Sequence, residues 1–480
     1  MMIVMKKEIE CPKLIQGGMG IGVSNWKLAR AVSMMGQLGV VSGTFLDTLF
    51  ARRLQDGDPG GHMRFACEHF PNLALANRIF ERYYIEGGKA PEAPYRNVPM
   101  FTTSPSRELL ELTVLANFAE VFLAKQGHEG LVGINLLEAI QMPILPSLYG
   151  AMLAGVDYVL MGAGIPKAIP GILDSLSVCE DVSYRIDVEQ EKENSSDYFV
   201  TFSPREILPF VETLKRPKFI AIVSSHALAI NLARKASGKV DGFVIENHTA
   251  GGHNAPPRGA MVLDDNGEPV YGERDNANLD EIIKLGLPFW LAGSYASPEK
   301  LSEALAVGAT GIQVGTAFAY CDESGITPEI KAKLLEAISE GKVDVFTDPD
   351  ASACGYPFKI VQLEDSLSDV NVFNNRLRVC DLGYLRKAYK KDDGSLGYRC
   401  PGEPVEKYVK KGGCAEDTKG RMCLCNGLAA TIGIPQSRSR DYVEPPLVTS
   451  GKSILELTRF MKPGKLSYSA KDVVENILLQ

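Results

Sequence analysis

The chain has 480 residues, of which 45% are hydrophobic and 23% are charged, and its formal net charge is −8. This composition is typical of a globular protein with a large core and excludes a fibrous or intrinsically disordered chain. Because it has no lysine or arginine block and no run near the roughly 18 apolar residues of a membrane span, we expect no nucleic-acid partner, no membrane and a cytoplasmic location.

Eight short apolar runs recur along the chain, and each ends near glycine or a small polar residue. Such runs predict strands buried on both faces, and the helical patterns that follow most of them favour parallel pairing. Eight units of this kind indicate an α/β fold with a closed TIM (β/α)8 barrel. The runs are KLIQGG, LGVVSG, LVGINLL, DYVLMG, FIAIVSS, GFVIEN, FWLAGS and GIQVGT.

Several helices between these strands have recognisable ends. Ser24 is predicted to cap a helix over 25–35 that terminates at Gly36. After the seventh run, Ser297 and Pro298 predict a helix start, and Gly308 predicts its end.

Three segments depart from the repeat. Residues 44–97 predict a helical insertion after the second strand, and the alternation over 182–202 predicts a hairpin after the fourth strand. The segment NVPMF at 97–101 is a candidate ninth strand. We expect a barrel domain with these insertions over 1–327 and a mainly helical, cysteine-rich extension over 328–480.

The chain contains ten cysteines, and several of them lie in the carboxyl-terminal extension. Without a recognisable signal peptide, we expect them to be reduced thiols. The gaps between the last four do not follow the paired C-x-x-C spacing of common zinc or iron–sulfur sites, so we predict no metal. A metal or cluster on these four remains an alternative: Cys400, Cys414, Cys423 and Cys425.

The segment GFVIENHTAGGHNAPPRG, at 242–259, has the pattern most typical of an active site. A buried strand opens into Gly251, Gly252 and His253 at its carboxyl end, where ligands bind in β/α proteins. The two glycines allow backbone amides to approach a flat or anionic ligand. Histidine exchanges protons near neutral pH, so His253 is the candidate catalytic residue.

The turns after the last two strands are candidates for binding phosphate. Gly293, Ser294, Gly315 and Thr316 offer backbone amides at the place where barrels commonly bind this group, and a helix begins near Pro298. Simple tight turns are the alternative interpretation.

The turn after the first strand, QGGMGIG, is a candidate for holding a flat ring. Gly17 and Gly18 allow the backbone to approach such a ring while Met19 packs on it. The spacing of its glycines differs from a dinucleotide-binding fingerprint, and a plain turn is the alternative.

Three further polar residues are weaker candidates for contacts with substrate. His226 follows the fifth strand, His248 precedes His253 by five residues, and Arg258 follows it in a proline-rich loop. Each is also consistent with a structural role in its loop. The two neighbouring histidines do not have the spacing of a helical zinc pair.

Six motifs, in order and spacing, resemble the nitronate monooxygenase family, formerly called 2-nitropropane dioxygenases. They cover roughly residues 12–320, and flavin-dependent enoyl-thioester reductases are similar in the same blocks. Family members usually continue AGGH with a small residue and glycine, whereas this chain continues with NAPPR at 254–258. The motifs are PKLIQGGMG, GIN at 133–135, YVLMGAGIP, TAGGH, LAGS and IQVGT.

The resemblance implies an FMN-binding barrel that acts on a small-molecule substrate. It places Gly17, Gly18 and Met19 along the isoalloxazine ring, and His253 matches the family's active-site histidine. The other cofactor contacts that it implies are Asn135, Gly251 and Gly252 in the flavin pocket, Gly293, Ser294, Gly315 and Thr316 at the phosphate, and Gln313 inside the eighth strand.

The activity that the resemblance favours is oxidation of alkyl nitronates by dioxygen, with FMN as cofactor. One alternative is reduction of an enoyl thioester, such as an acyl-carrier substrate, with NADH or NADPH. Another is a phosphate-ligand-binding barrel without catalysis, whose cysteine-rich tail is assembled by metal. The extension is expected to cover the pocket or to form a homo-oligomer.

Overall fold

The computed structural model describes residues 11–189, 198–439 and 442–479. Eight parallel strands close into a barrel in sequential order, with β8 returning to pair with β1. Each of the eight apolar runs supplies one strand, so the predicted TIM barrel is confirmed. The strands are β1 (Leu14–Gln16), β2 (Leu38–Ser42), β3 (Val132–Leu137), β4 (Tyr158–Gly162), β5 (Lys218–Val223), β6 (Gly242–Glu246), β7 (Phe289–Ala292) and β8 (Gly311–Val314).

Apolar side chains fill the interior of the barrel. Leu160 and Val244 are fully buried there beside Trp290, and the indole N–H of Trp290 donates to the carbonyl of Pro12 at 2.7 Å. Side chains therefore fill the barrel interior, and a ligand must bind beyond the carboxyl ends of the strands. The whole interior cluster is Ile15, Leu38, Val40, Tyr158, Leu160, Ile220, Val244, Trp290 and Ala292.

Helices alternate with the strands and cover the outside of the barrel. The predicted cap at Ser297 is confirmed, since its hydroxyl accepts from Lys300 N at 3.2 Å and Gly308 has a positive φ of 85°. The helices are Trp26–Met34, Arg107–Ala124, Ile144–Leu153, Ile169–Ser177, His226–Lys235, Leu279–Ile283, Pro298–Ala306 and Thr316–Ala319, with a 3₁₀ turn at Glu273–Asp275.

The helix after β1 begins differently from the prediction. Asn25 caps it, because its side-chain oxygen accepts from Leu28 N at 3.0 Å. Ser24 lies one residue too early for this role, and its hydroxyl binds the preceding turn instead.

Additional elements follow β2 and β4. Helices Leu46–Gln55, His62–Glu68 and Leu73–Tyr83 follow β2. Strand Val182–Ile186 pairs antiparallel with Tyr198–Phe202, and helix Pro204–Ile207 follows. Residues 190–197 of the predicted hairpin lie outside the described residues.

The predicted ninth strand at 97–101 is wrong, because this segment joins no sheet. Pro99 has no N–H to donate to a ladder. Side chains satisfy the backbone that precedes it: Gln436 accepts from Tyr95 N at 2.7 Å, and Gln55 accepts from Arg96 N at 2.6 Å.

The carboxyl-terminal extension combines helices with short strand pairs and packs on the barrel. Its helices are Pro328–Ser339, Val370–Asn375, Val405–Lys410, Leu424–Thr431 and Ala470–Leu478, with 3₁₀ segments at Ala415–Thr418 and Lys452–Phe460. Its antiparallel pairs are Val345–Asp348 with Phe358–Val361, Lys387–Lys390 with Leu396–Arg399, and Ser437–Ser439 with Tyr442–Val443. Strand Val188–Glu189, which precedes the extension, pairs parallel with Lys387–Lys390. The described helices include none that is long and apolar enough to cross a membrane.

Candidate active site

A cavity of about 400 Å³ opens at the carboxyl ends of the barrel strands. Turns after the strands form its floor, and the carboxyl-terminal extension forms its other side. The structure brings the candidate catalytic residue and all the predicted cofactor contacts into the lining of this cavity. These residues are His253, Gly17, Gly18, Met19, Asn135, Gly251, Gly252, Gly293, Ser294, Gln313, Gly315 and Thr316.

The turn after β1 passes close to two side chains of the floor. A Cβ on Gly18 would lie 2.3 Å from Cβ of Asn135, and one on Gly17 would lie 3.3 Å from the side chain of Gln313. Ser24 fixes this turn, since its hydroxyl donates to Gly17 O at 3.0 Å and accepts from Met19 N at 2.9 Å. Glycine is therefore required at position 18 by close packing.

The floor presents amide groups to the cavity. Asn135 and Gln313 are each 9% exposed. The side-chain oxygen of Gln313 is buried without a hydrogen-bond partner in the described part of the chain. Since buried polar groups are normally paired, this amide fits a ligand with polar ring atoms.

The turns after β7 and β8 form a hydroxyl-rich end of the cavity. Ser294 has a positive φ of 57°, and its hydroxyl donates to that of Thr249 at 3.0 Å. Gly315 and Thr316 begin the short helix that follows β8. Within the described ranges, no lysine or arginine lines the cavity, so its anion-binding capacity comes from hydroxyls and backbone amides.

The extension positions the imidazole of His253. Nε2 of His253 lies 2.7 Å from the hydroxyl of Ser352. The His253 ring meets that of Phe358 edge to face at a centroid distance of 4.7 Å, and the same two residues form an antiparallel backbone bridge. The barrel therefore supplies the histidine, and a distant segment fixes its ring.

A cysteine shares this arrangement. The sulfur of Cys354 lies 2.9 Å from the same Ser352 hydroxyl. Burial raises the pKa of Cys354, but the nearby His253 and Ser352 outweigh that effect and bring the pKa to about 7. No sequence motif indicated that Ser352 and Cys354 lie beside His253.

Two ionisable groups lie close to the glycine–histidine turn, a partly buried glutamate and a buried lysine, and the sequence analysis missed both. Glu246 ends β6 and lines the cavity; burial raises its pKa to about 7, and Lys359 opposes the shift. Lys359 is 1% exposed, and burial lowers its pKa to about 7. Its ammonium donates to His248 O at 2.5 Å and to the side-chain oxygen of Asn254, which ties together both ends of the turn.

The structure places the three weaker candidates outside the cavity. His226 and Arg258 border a separate open depression on the surface, where Nδ1 of His226 accepts from Asn278 N at 3.2 Å. His248 stacks on Tyr271 at 4.4 Å, and burial lowers its pKa. They are therefore not brought together with His253.

Most of the late cysteines lie around one internal space of the extension. Four cysteines border one small internal space, and Cys414 lies outside it at the surface. Across 11–189, 198–439 and 442–479, no group of three or more cysteine, histidine or acidic residues is arranged to hold a metal ion. The four are Cys380, Cys400, Cys423 and Cys425.

Comparisons with known proteins agree with the motifs. Residues 184–365 match the family model "Nitronate monooxygenase". A "Probable nitronate monooxygenase" from Bacillus subtilis (strain 168) is 36% identical over 99 residues, which are 20% of this chain and 26% of that protein. A "(3aS,4S,5R,7aS)-5-hydroxy-7a-methyl-1-oxo-octahydro-1H-indene-4-carboxyl-CoA dehydrogenase" from Mycobacterium tuberculosis (strain ATCC 25618 / H37Rv) is 25% identical over 143 residues, 30% of this chain and 36% of that protein. The chain thus matches about a quarter of the first relative and little more than a third of the second.

Solved structures are similar over nearly the whole chain but at low identity. FabK from Thermotoga maritima has a TM-score of 0.47 and 17% identity, covering 98% of this chain and 92% of that chain. Nitroalkane oxidase from Streptomyces ansochromogenes has a TM-score of 0.45 and 13% identity, covering 98% and 95%. The family model includes β6 and His253, and the resemblance of this chain to the nitronate monooxygenase family is thereby confirmed over residues 184–365.

Proposed function

We propose that this chain is an FMN-dependent oxidoreductase that oxidises alkyl nitronates with dioxygen. The observation that supports this proposal most strongly is that His253 and all eleven proposed cofactor contacts line one cavity at the carboxyl ends of the barrel strands. The family model matched by residues 184–365 includes the turn that carries His253.

The residues of the cavity fit a flavin mononucleotide. Gly17 and Gly18 expose backbone beside the floor amides, and the unpaired oxygen of Gln313 offers an acceptor to a ring N–H. Ser294 and Thr316 lie at the hydroxyl-rich end, where a phosphate binds without a cationic side chain. When bound, FMN supplies the electron-transfer chemistry.

His253 has the role of holding or moving a proton. Its Nε2 is engaged by Ser352, and its ring also interacts with the thiol of Cys354. We assign to this imidazole the removal of the proton from the carbon beside a neutral nitro group. With a substrate that arrives as the nitronate anion, it instead orients the anion through a hydrogen bond.

A second candidate function is reduction of an enoyl thioester with NADH or NADPH. The specific observation that favours it is the apolar roof of the cavity, which Leu385, Leu424 and Leu428 of the extension provide. Such a surface suits an acyl chain better than a small nitronate. The name of the mycobacterial relative also contains a carboxyl-CoA thioester.

One spectrum and two assays separate these functions. The purified protein is expected to be yellow and to release FMN on denaturation. Oxygen uptake with an alkyl nitronate supports the first function, whereas anaerobic oxidation of NADPH by an enoyl-CoA supports the second. A colourless protein with stoichiometric zinc or iron would contradict both and favour the metal-assembled binding protein.

A further inference from the structure

A segment of the extension, 449–453 with sequence TSGKS, lies against the turns after β6 and β8. Gly451 N donates to the hydroxyl of Thr316 at 3.0 Å. Lys452 N donates to Thr249 O at 3.1 Å, and Gly252 N donates to the hydroxyl of Thr449 at 2.9 Å. The segment is therefore hydrogen-bonded to both turns that the proposed cofactor contacts.

The backbones meet so closely that side chains are excluded. A Cβ on Gly451 would lie 2.8 Å from the hydroxyl of Thr316 and 3.0 Å from Thr249 O. A Cβ on Gly251 would lie 2.8 Å from Gly451 N. Glycine at these positions allows the extension to reach the end of the cavity where phosphate is expected.

Ser450 lies at this closure with an unused hydroxyl. It is 3% exposed and lines the cavity, and its oxygen has no hydrogen-bond partner in the described ranges. The phenol of Tyr320 faces it, but the two groups do not meet with hydrogen-bond geometry. Since buried hydroxyls are normally paired, Ser450 has the capacity to bind a ligand that enters the cavity.

The ligand chemistry follows from the neighbouring groups. Thr249, Ser294 and Thr316 line the cavity around Ser450. Ser294 donates to Thr249 and Thr249 donates to Asn247, whereas the hydroxyl of Thr316 accepts from Gly451 N and keeps its own proton for a ligand. The ammonium of Lys452 does not contribute, because it pairs with Glu268 at 2.6 Å and donates to Val345 O at 2.6 Å. A cluster of hydroxyls and backbone amides without fixed charge is suited to a phosphate monoester.

We propose that Ser450 is a phosphate ligand and that the segment 449–453 forms one wall of the subsite for the phosphate of FMN. This inference rests on the proposed function, since it requires the cavity to hold FMN. It assigns to the extension a direct part in binding the cofactor.

The test compares FMN with riboflavin, which has the same ring and ribityl chain but no phosphate. In apo-protein, S450A is expected to weaken FMN binding by about tenfold or more, as befits a lost hydrogen bond to a charged group. Riboflavin binding is expected to stay within about twofold. Both affinities are measured by quenching of flavin fluorescence.

The matched control is S366A in the same extension. Ser366 is 1% exposed, but its hydroxyl is already paired with Leu363 O at 2.7 Å and does not line the cavity. It is expected to leave the ratio of FMN to riboflavin affinity unchanged. If S450A does not fold, S450C keeps the shape of the side chain and replaces the hydroxyl by a weaker donor, and the same ratio is measured.

The outcomes separate this inference from the proposed function. If FMN and riboflavin lose affinity equally, or neither does, Ser450 does not bind phosphate and the inference is overturned. If the wild-type chain binds neither flavin, the proposed function itself is wrong. A changed ratio in S450A alone supports the phosphate contact.

Discussion

Nε2 of His253 is hydrogen-bonded at 2.7 Å to Ser352, a residue 99 positions later in the chain and fully buried. The turn after a barrel strand thus carries the imidazole, and the extension fixes its orientation. Because one nitrogen is occupied by this hydrogen bond, the chemistry of the ring depends on a residue outside the barrel strands and their turns. Two predictions follow from this pair and its neighbours.

Replacing His253 by asparagine is expected to separate proton abstraction from flavin binding. A general base contributes about a hundredfold to ten-thousandfold, so turnover of a neutral nitroalkane should fall by that order. Turnover of the preformed nitronate should fall much less, because its carbon has already lost the proton. Steady-state oxygen uptake with both forms of one substrate measures the difference.

The FMN content of this variant is the control. It should equal that of the wild type, because the backbone of Gly251 and Gly252 rather than the imidazole is expected to approach the cofactor. Equal losses of activity on both substrate forms would contradict a role for His253 in proton abstraction.

The thiol of Cys354 is expected to react as a thiolate near neutral pH. Its pKa of about 7 means that the reactive anion is half populated there and increases as the pH rises. The rate of alkylation by iodoacetamide, followed by peptide mass spectrometry, should reach half its maximum near pH 7. In the His253→Asn variant this midpoint should move upward, because the imidazole that lowers the pKa of Cys354 is lost.

Cys414, which is exposed, is the internal reference, because its rate of alkylation reports how the reagent reacts with an exposed thiol at each pH. A Cys354 midpoint near that of an ordinary thiol, about 8.5, would contradict the described arrangement. So would a midpoint that the His253→Asn variant does not change.

The sequence predicted those parts of the fold and the site that depend on local patterns. Apolar runs identified all eight barrel strands, and glycine-rich turns at their ends identified residues that now line the cavity. His253 was recognisable because it directly follows a strand and two glycines. Each of these signals lies within one strand and its turn.

The residues that were missed depend on long-range contacts. Ser352, Lys359 and Ser450 come from loops and a strand of the extension, and no spacing relates them to the turn at 249–254 that they contact. Glu246 was detectable, since an acidic residue that ends an apolar strand is costly to bury without a function. His248 lies close to His253 in the sequence, but its ring stacks on Tyr271 and stays outside the cavity.

Gly315→Ala is expected to block the phosphate end without disturbing the fold. An added Cβ would lie 3.6 Å from the sulfur of Met19, an ordinary contact, and the backbone φ of −109° suits alanine. The methyl group would project into the cavity, so FMN affinity should fall by about tenfold or more. The free energy of unfolding of the apo-protein should stay within about 0.5 kcal/mol of the wild-type value.

Gly272→Ala provides the matched control for this variant. Gly272 has a negative φ and open space around it, and it does not line the cavity. Flavin titration and urea unfolding of the two apo-proteins test the pair. Unchanged FMN affinity in Gly315→Ala would show that the phosphate binds elsewhere.

Glu246→Gln is expected to make the apo-protein less sensitive to pH. Burial raises the pKa of Glu246 from 4.5 to about 7, so the folded state binds its proton more tightly than the unfolded state between these values. Stability from this group is therefore present below pH 4.5 and is lost as the pH rises through about 7. The glutamine variant cannot ionise, so its Tm relative to wild type should rise by a few degrees between pH 5 and pH 8, corresponding to at most about 3 kcal/mol. Lys359, whose pKa burial lowers to about 7, changes the stability with the opposite sign, but it is present in both proteins and therefore cancels from the difference. A Tm difference that stays constant over this range would show that Glu246 is ionised at pH 5 and is not buried as described.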